Sequence, residues 1–194
     1  MLPATPRLPE PIRARFAGAS PQIVEFLELW NRSRHGALVP LRRELDPFQA
    51  PRLLRHVWLY QYLPDRDDFV CKLAGENVNE AWGGRLKGQM LSDVVGPAHR
   101  DAAIRRWRGV IETPCILYGA IGPERQDADG RPIAERLVLP LATAIDIVDH
   151  TIGISLYSVS QTDRDLIRPV WDDMLRIPCA EFQAFDSPDP PDAA

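Results

Sequence analysis

The chain has little cysteine. Cys71, Cys115 and Cys179 are the only three in 194 residues, too few and too scattered for a disulfide framework or a paired-cysteine zinc site. It has no excess of positive charge. Its 23 lysines and arginines stand against 27 aspartates and glutamates, a formal net charge of -4. That argues against a nucleic-acid-binding surface built on a basic face. No apolar run approaches the roughly 18 to 20 residues that a membrane span needs. The first residues lack the apolar core of a secretory signal. A cytoplasmic protein with no membrane span and no nucleic-acid partner is expected. The 45% hydrophobic content suits one globular domain with a sizeable core.

Proline is what the chain has in excess: 19 residues, where average usage gives roughly ten. Pro3, Pro6, Pro9 and Pro11 crowd the start, and Pro188, Pro190 and Pro191 the end. Proline lacks an amide donor and fixes one dihedral. Residues 1–19 are therefore expected to be a flexible Pro-rich stretch, and residues 180–194 a flexible acidic tail. Between them, Ser20-Pro21-Gln22 reads as a helix start and Gly36 as its stop. Ile23, Phe26, Leu27 and Trp30 follow the i, i+3, i+4, i+7 pattern. This stripe must cover either its own domain or a second copy, so these four residues are the candidate dimer or partner surface. The segment Leu38 to Pro51, with Pro40, Pro47 and Pro51, reads as an extended connector.

Val57 to Tyr62 and Phe69 to Leu73 are rich in strand formers and flank the turn Pro64 to Asp68, which is a hairpin pattern. Short helices are expected over Glu76 to Trp82 and around Leu91 to Val95. A long one is expected over Pro97 to Thr113, with Ala103, Ile104, Trp107, Val110 and Ile111 on its apolar side. Three more strands are expected: Cys115 to Ile121, Ala134 to Ala142 and Thr151 to Val159. Turns are expected at Asp127 to Gly130 and Asp146 to His150, and a short or kinked helix within 161–179. Strands in hairpin-like runs argue for an α+β fold with an antiparallel sheet rather than a doubly wound parallel one.

Tests for catalytic motifs fail. Gly83 to Gly88 supplies two glycines of a P-loop, but Gln89 and Met90 follow where lysine and serine or threonine belong. Gly153-Ile154-Ser155-Leu156-Tyr157 lacks the second glycine of a nucleophile elbow. His35, His56, His99 and His150 are not at metal-ligand spacing. The acids Asp65, Asp67 and Asp68 read as a solvated turn, and Cys179 as the most accessible thiol. Arg100, Arg105, Arg106 and Arg108 share the long helix with Asp101 and Glu112 and read as a solvated face. Arg136 stands out, set in the apolar run Leu137-Val138-Leu139-Pro140. A charge there needs a partner: a neighbouring acid, or the carboxylate or phosphate of a ligand. Trp58, Trp82 and Trp107 come from three different elements and can either fill a core or line a pocket for a planar ligand.

Leu86-Lys87-Gly88-Gln89, Leu91-Ser92-Asp93-Val94-Val95 and Gly96-Pro97-Ala98-His99-Arg100 resemble the middle of a PAS domain. Leu73-Ala74-Gly75-Glu76-Asn77-Val78 resembles its second strand entering the first short helix, and Ile152 to Ser158 its closing strand. Leu29-Trp30 ending a first helix, then Leu45-Asp46-Pro47 and Pro51-Arg52-Leu53-Leu54, is similar to small stand-alone proteobacterial PAS-like proteins. The resemblance covers about Phe26 to Ser160. It implies a five-stranded antiparallel sheet with helices on one face, here plus the N-terminal amphipathic helix, spanning residues 37–160 and preceded by 20–36. It also implies a bacterial sensory or regulatory module that binds small ligands or protein partners, a homodimer among them, and is not an enzyme. Cys71 and Cys115 lie on strands, so the helix cysteine of flavin photoreceptors has no counterpart. His99 opens the long helix without the rest of a haem site. No haem, flavin or other cofactor is expected.

The pocket, if there is one, is expected from Trp82, Trp107, Tyr118, Arg136, Cys71 and Ile154. Two rival readings are a ligand-free structural adaptor or dimerisation domain, and a small α+β enzyme acting on an acidic metabolite. Mutual contact of Trp82 and Trp107 in a filled interior would favour the adaptor.

Overall fold

The computed structural model describes residues 8–120, 134–157 and 174–186. Six strands form one antiparallel sheet: β1 (Val57–Leu63), β2 (Asp68–Ala74), β3 (Cys115–Ala120), β4 (Ala134–Ala144), β5 (Ile147–Tyr157) and β6 (Leu175–Pro178). Their spatial order is β2-β1-β5-β4-β3-β6. Helices α1 (Glu10–Ala14) and α2 (Pro21–Ser33) precede the sheet. Helices α3 (Glu76–Ala81), α4 (Leu91–Val95) and α5 (Arg100–Glu112) lie between β2 and β3, and α6 (Ala180–Gln183) follows β6. The α+β class and the antiparallel sheet are those expected. The sixth strand is an addition, pairing Ile116 with Ile177 and Leu117 with Arg176 along β3.

Strand alternation divides the sheet into two faces. On one, Leu137, Leu139, Ile152 and Ile154 pack against Ile23, Phe26, Leu27 and Trp30 of α2. On the other, Trp58, Tyr60, Cys71, Leu117 and Val138 pack against Val78, Leu91, Trp107 and Val110 of α3 to α5.

The α2 stripe is therefore used within the chain, which corrects its expected role as a dimer or partner surface. All four of its residues are buried, and the Trp30 indole donates to the carbonyl of Pro140 in β4 at 2.8 Å. The helix starts at Ser20, but the serine does not cap its own first turn. Its backbone N–H donates to Glu135 Oε1 at 3.0 Å, its hydroxyl donates to Glu135 Oε2, and the Tyr118 hydroxyl donates to Oε1 at 2.8 Å. A buried carboxylate of β4 thus meets the positive end of α2.

Both ends of the described chain are better ordered than their proline content suggests. Pro9 and Pro11 flank and enter the first turn of α1, where a missing N–H costs nothing. Leu8, Ile12 and Phe16 are buried in the core around α2. At the other end Ile177, Cys179 and Phe182 are fully buried. Cys179 is thus the reverse of an accessible thiol, and burial pushes its pKa up. Residues 175–178 form a strand, where a helical segment is expected over 161–179; 158–173 lie outside the described residues. The tail is held by Arg34, itself only 1% exposed. Its guanidinium donates to Asn31 Oδ1, to the Ala37 carbonyl and to Asp186 Oδ2 at 3.1, 2.8 and 2.6 Å, and lies 5.4 Å from the Phe182 ring centroid.

Two turns also differ in detail. β4 and β5 join at Ile145-Asp146, with Asp146 at φ +65°, a conformation aspartate tolerates, and Ile147 to His150 already belong to β5. Asp68, read as solvated, is buried and accepts from the amides of Phe69 and Ser92 at 2.7 and 3.4 Å, which ties α4 to the edge strand. The expected turn at Asp127 to Gly130 lies outside the described residues.

Candidate ligand cavity

The space beside α5 begins with a glycine. Trp58 on β1 pairs with Gly153 on β5. A Cβ at Gly153 would lie 2.2 Å from Cζ2 of Trp58 and 2.4 Å from the Leu137 carbonyl oxygen, so the indole rests where any other side chain would stand. Trp107 of α5 stacks on Trp58, with centroids 4.8 Å apart and planes 5° from parallel. Tyr60 and Phe69 meet Trp107 edge-on at 5.0 and 5.5 Å. This aromatic block holds α5 off the sheet and leaves a cavity of about 110 Å³ between them.

One side of the cavity is apolar, from Val78, Leu86, Leu91, Val94 and Val95. The sheet side carries Arg136, Ser155 and Tyr157, with Trp82 across from them and His99 and Arg106 at the helix side. Arg136 Nε donates to Ser155 Oγ at 3.1 Å and its Nη2 to the Tyr157 hydroxyl at 3.0 Å. Its guanidinium lies 5.9 Å from the Trp82 ring centroid. Trp58 Nε1 donates to Ser155 Oγ and Trp82 Nε1 to the Tyr157 hydroxyl, both at 2.9 Å. The polar wall is thus fixed by indoles from β1 and α3's end.

Of the six residues expected to line a pocket, Trp82, Trp107 and Arg136 do so. Cys71 lies on the same side of the sheet but is packed within the core cluster, where burial raises its thiol pKa. Tyr118 and Ile154 are on the opposite face, beneath α1 and α2. Strand phase decides this: Tyr118 pairs with Leu137 and Ile154 with both Leu137 and Val57, all facing α2. Burial and the Glu135 carboxylate push the Tyr118 phenol far up, so it stays a neutral donor. Ser155, Tyr157 and Tyr60 were absent from the expected set. The available signal was the alternation in β5, where Ile152, Ile154 and Leu156 are apolar while Gly153, Ser155 and Tyr157 are small or polar.

His56 stands behind this wall, 3.5 Å from Asn77 Nδ2. Burial, then the charge of Arg55, lower its pKa from the ordinary 6.5, against a hydrogen bond to the Ser155 backbone that raises it. The unfolded chain therefore takes up this proton first as pH falls. The contribution of neutral His56 is present above about pH 6.5 and is lost as pH drops through its lower folded value. Urea melts between pH 7 and 5 are expected to show a smaller loss of stability for His56→Gln than for the unmodified chain. Equal slopes would remove His56 as a source of acid sensitivity.

A family model described as the PAS domain matches residues 19–156. The chain belongs to the PAS domain family. This PAS domain is a sensory or regulatory module, and PAS domains are typically non-enzymatic. None of the curated proteins compared with it matches. Among solved structures, an RNA-binding light-oxygen-voltage receptor is similar at 19% identity and a TM-score of 0.37, with 67% of this PAS domain chain covered. The chain spans 37% of that receptor's chain. Among the described residues no helix is long and apolar enough to cross a membrane. No group of three or more His, Cys, Asp or Glu among them is placed to hold a metal ion.

Proposed function

We propose that this PAS domain senses a small molecule bound between the sheet and helices α3 to α5. The cavity itself carries the reading. Protein interiors are close-packed, with few voids larger than a water molecule. Here about 110 Å³ remains open beside a tightly stacked aromatic block, and several polar groups converge on it. Trp107 stacks on Trp58, and the space toward Trp82 stays open. That supports sensing over a filled-core adaptor. The size favours a compact ligand, since an apolar cavity of about 150 Å³ takes benzene. A ligand here would touch α3, α4 and α5 along with β1, β4 and β5 at once, and so couple helix position to the sheet.

A thermal-shift screen against small metabolites tests this. A ligand present at 100 times its Kd adds about 2.7 kcal/mol, which is roughly 5 to 10 °C in Tm for a domain of this size. Ala103→Phe, which fills the space from α5, is expected to abolish the shift while circular dichroism shows a folded chain. Hits that persist in Ala103→Phe, or no hits at all, would count against the cavity as the site.

A further inference from the structure

The polar groups around the cavity are engaged before any ligand arrives. Ser155 Oγ accepts from Trp58 Nε1 and Arg136 Nε, at 2.9 and 3.1 Å, and Ser155 is fully buried. The Tyr157 hydroxyl accepts from Trp82 Nε1 and Arg136 Nη2, at 2.9 and 3.0 Å. The Tyr60 hydroxyl is hydrogen-bonded to the Cys71 sulfur, and Tyr60 is buried as well. Arg106 and Arg136 have further partners. His99, at the helix side, is exposed to water. Each of these groups thus has a protein partner or solvent. A polar guest would have to compete for them, and a polar atom that leaves water without a new partner costs about 1 to 3 kcal/mol.

The surface left over is apolar. Val94, Val95, Ala102 and Ala103 line the cavity and are only partly buried. Trp82, partly exposed too, adds an indole. A guest therefore has hydrocarbon to cover and few free hydrogen-bonding groups to meet. We infer that the ligand is a compact, neutral, apolar molecule about the size of one six-membered ring, recognised by burial and by contact with Trp82 rather than by hydrogen bonds. This rests on the reading that the cavity is a ligand site. Apolar surface removed from water contributes about 25 cal/mol per Å². A guest of the same outline that carries lone pairs or a charge forfeits that gain, because its polar atoms leave water for a wall whose partners are engaged.

Isothermal titration of the full chain with three ring compounds tests the class. Benzene is apolar, pyrazine has the same outline with two lone-pair acceptors, and benzoate adds a charge. Benzene is expected to bind at least about tenfold more tightly than either. Val94→Thr exchanges a methyl for a hydroxyl at nearly constant shape. It is expected to weaken benzene by about three- to tenfold and to change pyrazine by less than about twofold. Val95→Thr repeats the test from the neighbouring position, and the variant that keeps the Tm of the unmodified chain is the one compared. Ala103→Phe is expected to abolish binding of benzene. Pyrazine or benzoate binding as tightly as benzene overturns the apolar class. So does benzene binding that neither threonine weakens. If benzene fails to bind while screened metabolites still shift Tm in an Ala103-dependent way, only the apolar class is lost. If nothing binds by either method, or if benzene binds Ala103→Phe unchanged, the ligand-site reading falls with it.

Discussion

Gly153→Ala is expected to lower the melting temperature by about 10 °C. The methyl would sit 2.2 Å from the Trp58 ring and 2.4 Å from a backbone oxygen of β4. Both neighbours are constrained: Trp58 is stacked under Trp107, and Leu137 is a central sheet residue paired with Ile154 and Tyr118. Overpacking of this kind costs typically about 1 to 3 kcal/mol, and a site closed by backbone belongs at the top of that range. For a domain of this size about 3 kcal/mol corresponds to roughly 10 °C. Two of the three nearest atoms belong to the indole, so Trp58→Leu should couple to it. The double variant Gly153→Ala, Trp58→Leu is expected to be more stable than the sum of the singles predicts, by about 1 kcal/mol or more. A single alanine that leaves Tm within about 2 °C, or strict additivity, would mean that the sheet gives way elsewhere and that the stack is not seated on Gly153.

The second large effect is an asymmetry at the buried Arg34. Asp186→Ala is expected to cost about 3 kcal/mol, because it leaves a guanidinium stranded beneath α6 with only neutral acceptors. Arg34→Met removes that charge and keeps an apolar body against Trp30 and Phe182. Its partner Asp186 is about a third exposed and can turn to water. Replacing a buried charge by a well-packed apolar group is often close to neutral, so Arg34→Met should cost less than Asp186→Ala, by about 1 kcal/mol or more. Guanidinium chloride melts of the two variants decide the order. The reverse order would show that the guanidinium is a net source of stability and not a cost its neighbours offset.

What could be read in the sequence follows from what each segment buries. Helix α2 covers only one face, so Ile23, Phe26, Leu27 and Trp30 stood out at helical spacing. The hairpin at Pro64 announced itself through turn residues. Strand β4 did the opposite. It is covered on both faces, by α2 and by α5, so Leu137-Val138-Leu139 shows no alternation. Without alternation its phase is hidden, and Tyr118 on the neighbouring β3 is expected in the cavity although it points away from it; for Ile154 the alternation of β5 itself marks the opposite face. The chain ends mislead through composition: Pro11 reads as a helix breaker but sits in a first turn, and Phe182, with Arg34 on Asp186, draws an acidic segment onto the core. Asp68 shows the same limit, since its partner from α4, the Ser92 amide, carries no mark in sequence.

The parallel Trp58 and Trp107 rings, one on the sheet and one on α5, are also a pair of chromophores. At 4.8 Å and 5° their strong transitions couple, and the coupling falls steeply as rings separate or tilt. The molecule therefore carries, in two of its own chromophores, a marker of the spacing between its long helix and its sheet.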